Sequence, residues 1–208
     1  MSRRAILIAM TACAPKIGLH PAELCATKGR ISDRAITEPT VRAFGKDTGG
    51  DAAQLTFTFR GDSEATRELA TGGARRQLGV KLRAQDSCNV IYVMWRLDPS
   101  VLEISVKRNP GKRTHDECGA NGYTKVATAT APALEIGARH VLRAEIAGDE
   151  LVAWIDGGMV WRGRLPDEAR AISGPAGLRS DNVRLDAIEL AAPHADANAG
   201  CKRDERGD

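Results

Sequence analysis

The chain has 208 residues, which suits one well-buried domain and is short for two. Hydrophobic residues make up 42%, and 30 Lys and Arg residues against 27 Asp and Glu give a net charge of +3. Basic residues dispersed among acidic ones argue against nucleic-acid binding, which usually takes a face where basic residues are concentrated. After the N-terminus, no run approaches the roughly 18 apolar residues of a membrane span.

The N-terminal residues have the order of an export signal, with Arg3 and Arg4 followed by a short apolar run and then small residues. The stretch Met-Thr-Ala-Cys at 10–13 also resembles a bacterial lipoprotein box, in which Cys13 would carry the lipid anchor. We therefore expect residues 1–29 to be an export signal and N-terminal segment. The expected location is secreted, periplasmic or membrane-anchored as a lipoprotein. The alternative is an ordinary apolar N-terminal strand or a mis-assigned start.

Residues 54–190 alternate mostly with period two, which predicts β-strands. In the first of these runs, Leu55, Phe57 and Phe59 share one face. Gly, Asp, Asn and Pro separate the runs, and tight turns are expected at 147–150 and 156–158. One helix of a turn or two is predicted around Ser63–Ala70. The predicted strands lie within 54–61, 77–85, 89–97, 101–108, 140–148, 150–157, 159–165 and 183–190.

Five cysteines support export, because disulfides persist in oxidising compartments. If Cys13 is removed or lipidated, four cysteines remain, and four allow three pairings. We favour Cys88–Cys118, which closes the region between two predicted strands, and Cys25–Cys201, which ties the two ends of the domain together. No cysteine or histidine spacing matches a zinc finger.

Residues 140–190 resemble the closing strands of concanavalin A-like jelly rolls, a superfamily of laminin G-like modules, legume-type lectins, glycoside hydrolases and polysaccharide lyases. The resemblance rests on the phrase Trp154-Ile155-Asp156-Gly157 and on residues 174–182, GPAGLRSDN. It implies an all-β fold, an antiparallel two-sheet β-sandwich. The sandwich is expected over 30–192, with a polar C-terminal tail at 193–208. The resemblance also implies a concave sheet face, where members of the superfamily commonly bind or cut sugar chains.

The polar positions of successive strands are largely basic, which suggests a glycan-binding face. Alternation places Lys81 and Arg83 on one face, and Tyr92 shares a face of the next strand with Arg96. A cationic groove with an aromatic platform would suit an acidic glycan such as a uronate polymer. The alternative is that these residues are ordinary solvated positions of a half-exposed sheet. The predicted ligand-binding residues are Arg76, Arg83, Tyr92, Arg96 and Lys107.

The function expected is therefore a non-catalytic carbohydrate-recognition domain for an anionic glycan. A polysaccharide lyase is the alternative, in which the superfamily resemblance implies a base and acid such as His115 or Tyr123. The E-x-D-x-x-E motif of retaining glucanases is absent, and so are the usual lyase phrases. His115 could instead be a solvated residue of a disulfide-anchored loop. A structural envelope protein without a small ligand is a third class.

No cofactor is expected, and a structural calcium ion is the alternative. Asp156, Asp181 and Asn182 could supply oxygen ligands to such an ion. No loop has EF-hand spacing, and ordinary turn chemistry explains these residues without a metal.

Overall fold

The computed structural model describes residues 18–69, 72–196 and 201. These residues form a sandwich of two antiparallel sheets, one of six strands and one of seven. The strands are β1 (His20–Pro21), β2 (Leu24–Lys28), β3 (Thr40–Gly45), β4 (Ala52–Asp62), β5 (Gln77–Leu82), β6 (Val90–Arg96), β7 (Val101–Lys107), β8 (Tyr123–Thr130), β9 (Arg139–Ala147), β10 (Glu150–Ile155), β11 (Gly158–Arg164), β12 (Gly177–Asp181) and β13 (Val183–Ala192). The strand orders are β1-β13-β4-β9-β10-β11 and β2-β3-β12-β5-β6-β7-β8.

The core lies between the two sheets and is made largely by alternate residues of the longer strands. Leu55, Phe57 and Phe59 of β4 are buried there, as the period-two pattern predicts. Strand β6 is buried on both faces, with Trp95 fully enclosed and its indole nitrogen donating to the carbonyl of Pro132 at 3.1 Å. The predicted all-β two-sheet sandwich is confirmed.

The predicted helix around Ser63–Ala70 is wrong, since the described residues 63–69 are irregular. Tertiary hydrogen bonds satisfy this backbone instead, because the Asn182 side chain accepts from the Arg67 N–H at 2.7 Å and donates to the Arg67 carbonyl at 2.8 Å. The helical segments are α1 (His115–Cys118) and a 3-10 turn at Asp167–Ala171. Within the described ranges no helix has the length and apolarity to cross a membrane.

The sandwich begins before residue 30, which was the boundary expected from the sequence. Strand β1 pairs with β13, and β2 pairs with β3 as the edge of the seven-stranded sheet. Cys25 of β2 is bonded to Cys201, and Cys88 is bonded to Cys118, so both favoured pairings are present. The export signal and the Cys13 lipidation site fall outside the described residues.

Both tight turns are formed where they were expected. Gly148 and Asp149 join β9 to β10, and Asp156 and Gly157 join β10 to β11. The second turn has φ values of 50° at Asp156 and 82° at Gly157, the left-handed pair that a type I′ hairpin turn requires.

Candidate functional site

The outer face of the seven-stranded sheet, which points away from the core, gathers several basic side chains around two tyrosines. Strand alternation points Lys81 and Tyr92 outward as direct partners across β5 and β6. Arg179 of β12 lies opposite Arg42 of β3. Together with residues of β7 and β8 they form what we call the basic–tyrosine cluster: Arg42, Lys81, Tyr92, Lys107, Tyr123 and Arg179.

One buried carboxylate, that of Asp181, fixes the two arginines of this cluster. It accepts hydrogen bonds from Arg42 at 2.7 Å, from the Nε of Arg179 at 2.7 Å and from the Gln77 amide at 2.8 Å. Burial favours the protonated acid, but the two guanidinium groups outweigh it and hold the pKa of Asp181 below its usual value. The arginines are therefore held in place by a single negative charge.

Lys81 lies at the centre of the cluster and is only 9% exposed. In the part of the chain that the structure describes, its ammonium group has no hydrogen bond or ion pair. Burial first, and then the charges of Arg42 and Arg179, lower the pKa of Lys81 to about 7. Lys81 thus carries an amine that is partly uncharged at neutral pH, and it has no counterion of its own.

The two tyrosines stack on each other within the cluster. Their rings are stacked, with centroids 6.1 Å apart and an interplanar angle of 24°. The Arg179 guanidinium lies 5.2 Å from the centre of the Tyr92 ring, and the Lys107 ammonium lies 5.1 Å from that of Tyr123. Tyr92 is buried, whereas Tyr123 is 39% exposed and is the aromatic residue that solvent reaches.

The Tyr123 hydroxyl lies against Arg179 and keeps its proton over the neutral range. Burial of the phenol, with a smaller contribution from the neighbouring Tyr92, raises the pKa of Tyr123 to about 12. Tyr123 therefore acts as a hydrogen-bond donor or as an acceptor from Arg179, and not as a phenolate, at neutral pH.

Lys107 is held by the loops that the second disulfide joins. Its ammonium is almost fully buried and donates to the carbonyls of Ser87 at 3.0 Å and Gly119 at 2.8 Å. These two residues adjoin Cys88 and Cys118, which are bonded to each other. Burial, followed by the charge of a neighbouring arginine, lowers the pKa of Lys107 to about 8. The disulfide therefore positions one wall of the cluster.

His115 lies at the edge of the cluster, at the start of α1. The turn is capped by Glu117, whose carboxylate accepts the backbone N–H groups of Arg113 and Thr114 at 2.8 Å each. Partial burial, then Lys107 and other nearby cations, lower the pKa of His115. Its imidazole is therefore neutral at pH 7 and can accept a proton.

The structure brings together four of the residues singled out in the sequence: Tyr92 and Lys107 at the centre of the outer face, with Tyr123 and His115 beside them. Arg96 lies on the same face, four residues along β6 from Tyr92. Its guanidinium pairs with Glu103 at 2.8 Å, so its charge is already neutralised.

Arg76 and Arg83 lie outside the cluster, contrary to the expectation for this face. Arg76 precedes β5 and forms ion pairs with Asp62 at 2.9 Å and with Asp98. Arg83 follows the last residue of β5 with a φ of 47°, which breaks the alternation expected from Lys81. Its guanidinium pairs with Asp51 at 2.6 Å and donates to the Ala169 carbonyl at 3.1 Å.

The sequence interpretation missed Arg42 and Arg179 as site residues. Both stand at outward positions of alternating strands, TVRAFG and GLRSD, so the alternation predicts that their side chains point away from the core. The sequence does not predict that β12 lies between β3 and β5, and this strand order places Arg179 beside Lys81. Strand order in a sandwich is set by long connections that leave no short-range signal.

The three residues considered for calcium have other partners. Asp156 accepts the backbone N–H of Val141 at 2.7 Å and lies 2.9 Å from the Nδ1 of His140. Asp181 accepts hydrogen bonds from Arg42 and Arg179. Asn182 is hydrogen-bonded to the backbone of Arg67. Over residues 18–69, 72–196 and 201, no group of three His, Cys, Asp or Glu side chains is arranged to hold a metal ion.

Comparison with known proteins gives a likeness in structure. No protein-family model and no curated protein sequence matches the chain. Among solved structures, the carbohydrate binding module CBM66 from Bacillus subtilis is similar over 84% of this chain and 95% of that chain, with 11% identity and a TM-score of 0.56. Lactose- and MES-liganded Congerin II is also similar, with 10% identity and a TM-score of 0.48 over 72% of this chain and 98% of that chain. Galectin LEC-6 of Caenorhabditis elegans has 8% identity and a TM-score of 0.45 over 79% of this chain and 99% of that chain.

The chain has the concanavalin A-like jelly-roll fold. The expectation drawn from residues 140–190 is thereby confirmed, because the strands of that segment take their places in two antiparallel sheets. At 11% identity the likeness to CBM66 concerns the fold and not the binding residues.

Proposed function

We propose that the protein is an exported carbohydrate-recognition domain that binds a glycan with anionic groups on the outer face of the seven-stranded sheet. The observation that carries this proposal is the charge balance of the basic–tyrosine cluster. Its basic side chains, Arg42, Lys81, Lys107 and Arg179, surround stacked tyrosines, and the buried carboxylate of Asp181 forms ion pairs with the two arginines but not with the lysines. A bound anion would supply the missing counter-charge.

The chemistry of the cluster fits the two parts of an acidic sugar. The exposed ring of Tyr123 offers an apolar surface to the C–H face of a pyranose, and its hydroxyl can hydrogen-bond to the sugar. The Nε of Arg179 donates a hydrogen bond to Asp181. Its terminal amino groups can therefore donate to the Tyr123 hydroxyl and to a ligand carboxylate. The similarity in fold to a carbohydrate binding module supports the same proposal.

Export is part of this proposal and is supported by the two disulfides, which are typical of oxidising compartments. The order of residues at the N-terminus gives the same indication. Whether Cys13 carries a lipid stays a prediction, which mass spectrometry of the protein isolated from its own cells would test.

The test is binding to a panel of alginate, pectate, hyaluronan, heparin and neutral dextran, measured by calorimetry at two salt concentrations. We expect an acidic polymer to bind and added salt to weaken it. Tyr123→Ala and Arg42→Gln should each weaken binding about tenfold or more, roughly 1.4 kcal/mol. Arg60→Gln on the opposite sheet is the matched control. Equal binding by all four proteins, or no binding to any polymer, would overturn the proposal.

A lyase is the second candidate, favoured by one specific arrangement. Arg179 contacts the Tyr123 hydroxyl, and His115 is held neutral beside the same cations. His115 would abstract the proton at C5 of a uronate, and Tyr123 would donate one to the leaving oxygen. Ultraviolet absorbance of an unsaturated product, lost in His115→Gln, would establish it. Absence of both binding and product would favour a structural envelope protein.

A further inference from the structure

The amine of Lys81 is placed where it can react, and not only bind. The side chain crosses the sheet over Gly177, where a Cβ atom would lie 2.8 Å from the lysine Cε. No carboxylate or carbonyl of the described residues fixes the amine, unlike Lys107, which has two carbonyl partners. A buried amine without a partner, next to fixed cations, is the setting in which lysine becomes a nucleophile.

The groups around the amine select a carboxylate. Among the described residues, the charged and titratable side chains that face Lys81 from neighbouring strands are Arg42 of β3, Arg179 of β12 and Tyr92 of β6. The two arginines are locked in place by Asp181, so a ligand carboxylate would find preorganised donors beside the amine. A carbonyl carbon one bond from that carboxylate would then lie next to Lys81.

We propose that Lys81 captures small carbonyl compounds that carry an adjacent carboxylate, namely 2-oxo acids and aldehyde acids, as an imine. The neutral amine adds to the carbonyl carbon to give a carbinolamine, and loss of one water forms the C=N bond. The two amine protons leave in that water together with the carbonyl oxygen, so no oxidant or reductant takes part. Hydrolysis reverses the reaction.

The protonation state of Lys81 supports this chemistry at neutral pH. With a pKa of about 7, about half of the Lys81 amine is free at pH 7. An unperturbed lysine, with a pKa of about 10.4, has on the order of one free amine in a few thousand at that pH. Lys125, which is exposed on the edge strand β8 of the same sheet, provides the internal comparison.

The experiment uses the full protein, glyoxylate as the aldehyde acid, and cyanoborohydride, which reduces an imine to a stable secondary amine. After incubation at pH 7, peptide mapping by mass spectrometry measures the carboxymethyl adduct on each lysine. We expect Lys81 to be labelled at least tenfold more than Lys125, and glycolaldehyde, a neutral aldehyde of similar size, to show a much smaller preference. Lys81→Arg, which keeps the charge, should lose the adduct.

The pH dependence separates an activated lysine from one that is merely accessible. Labelling of Lys81 should level off above about pH 8, whereas an unperturbed lysine amine would be labelled increasingly up to about pH 10. Equal labelling of the two lysines at pH 7, no adduct on Lys81, or equal preference for both aldehydes would overturn the inference. The inference uses the site of the proposed function, but its readout is a covalent adduct. Glycan binding without an adduct, or an adduct without glycan binding, therefore tells the two apart.

Discussion

The outer faces of the two sheets are both rich in arginine, but their charges are organised differently. On the six-stranded sheet, Arg60 pairs with Asp186 at 2.6 Å, and both side chains are more than 40% exposed. The pairs Arg143–Glu145 and Arg162–Glu150 repeat this one-to-one arrangement. On the seven-stranded sheet, the cations of the basic–tyrosine cluster outnumber the carboxylate and are largely buried.

This difference shows that the number of basic residues on a sheet face is a poor indicator of a binding site. An exposed ion pair is solvated on every side and contributes little free energy. A buried excess of positive charge is costly unless an anion joins it or a group gives up its proton. The lowered pKa of Lys81 is the sign of that cost.

The largest expected effect comes from removing Asp181, the buried carboxylate that pairs with both arginines of the cluster. Asp181→Asn would leave Arg42 and Arg179 buried without their shared counter-charge. We expect the free energy of unfolding to fall by about 3–5 kcal/mol, the range for breaking one side of a buried ion pair. Urea denaturation followed by tryptophan fluorescence measures the change.

Asp186→Asn on the six-stranded sheet is the matched control for Asp181→Asn. It removes the carboxylate partner of Arg60, and solvent screening should limit its cost to below about 1 kcal/mol. If the two substitutions cost the same, the contrast drawn between the two faces is wrong.

The next effect is a pH dependence of stability that depends on Lys81. The pKa is about 7 in the folded protein, against about 10.4 for an unfolded lysine. The unfolded state therefore binds more protons between these values, and the stability of the wild type rises with pH across that window. The slope is at most about 1.4 kcal/mol per pH unit, and below about pH 7 the contribution is constant.

Lys81→Met removes this contribution, so the difference in unfolding free energy between wild type and variant should change from about pH 7 to about pH 10 in favour of the wild type. Urea titrations at a series of pH values measure it. Lys125→Met, which alters an exposed lysine, is the control and should leave the rise in stability from about pH 7 to about pH 10 in place. A constant difference for Lys81→Met would show that the buried amine titrates normally.

The smallest effect concerns Tyr123. Its folded pKa of about 12 lies above the unfolded value of about 10, so the folded state holds this proton more tightly. Stability should consequently fall as pH rises through this range, and Tyr123→Phe should remove part of the fall. Phenolate absorbance measured during an alkaline titration checks the assignment, because Tyr123→Phe should lose the late-titrating step. A loss near pH 10 instead would contradict it.

Most of the fold could be predicted because strand alternation and hairpin turns are local signals. Leu55, Phe57 and Phe59 face the core as their spacing indicates, and Asp156-Gly157 forms its turn. The helix predicted at 63–70 failed because a distant side chain, Asn182, satisfies that backbone. The disulfide pairings were favoured from position along the chain, and the structure contains both.

The candidate site could be predicted only in part, since it depends on which strands are neighbours. Tyr92 and Lys107 lie on consecutive strands, β6 and β7, whose pairing is local. Arg179 reaches Lys81 because β12, about 100 residues later, lies beside β5. Arg83 does not lie on this face, because its positive φ directly after β5 breaks the alternation. A period-two pattern in the sequence does not reveal such a break.

Gly177 determines how freely this face can change in sequence. A side chain there would meet the Ala43 carbonyl at 2.3 Å as well as the Lys81 stem at 2.8 Å. The lysine could move away from a methyl group, but the backbone carbonyl of the paired strand could not without breaking the sheet. A library of all substitutions at this position should therefore yield glycine alone among stable variants, even in a Lys81→Met background. The space into which the Lys81 side chain fits is thus fixed by the backbone at Gly177, and substitutions on this face are expected to be tolerated only at the charged side chains.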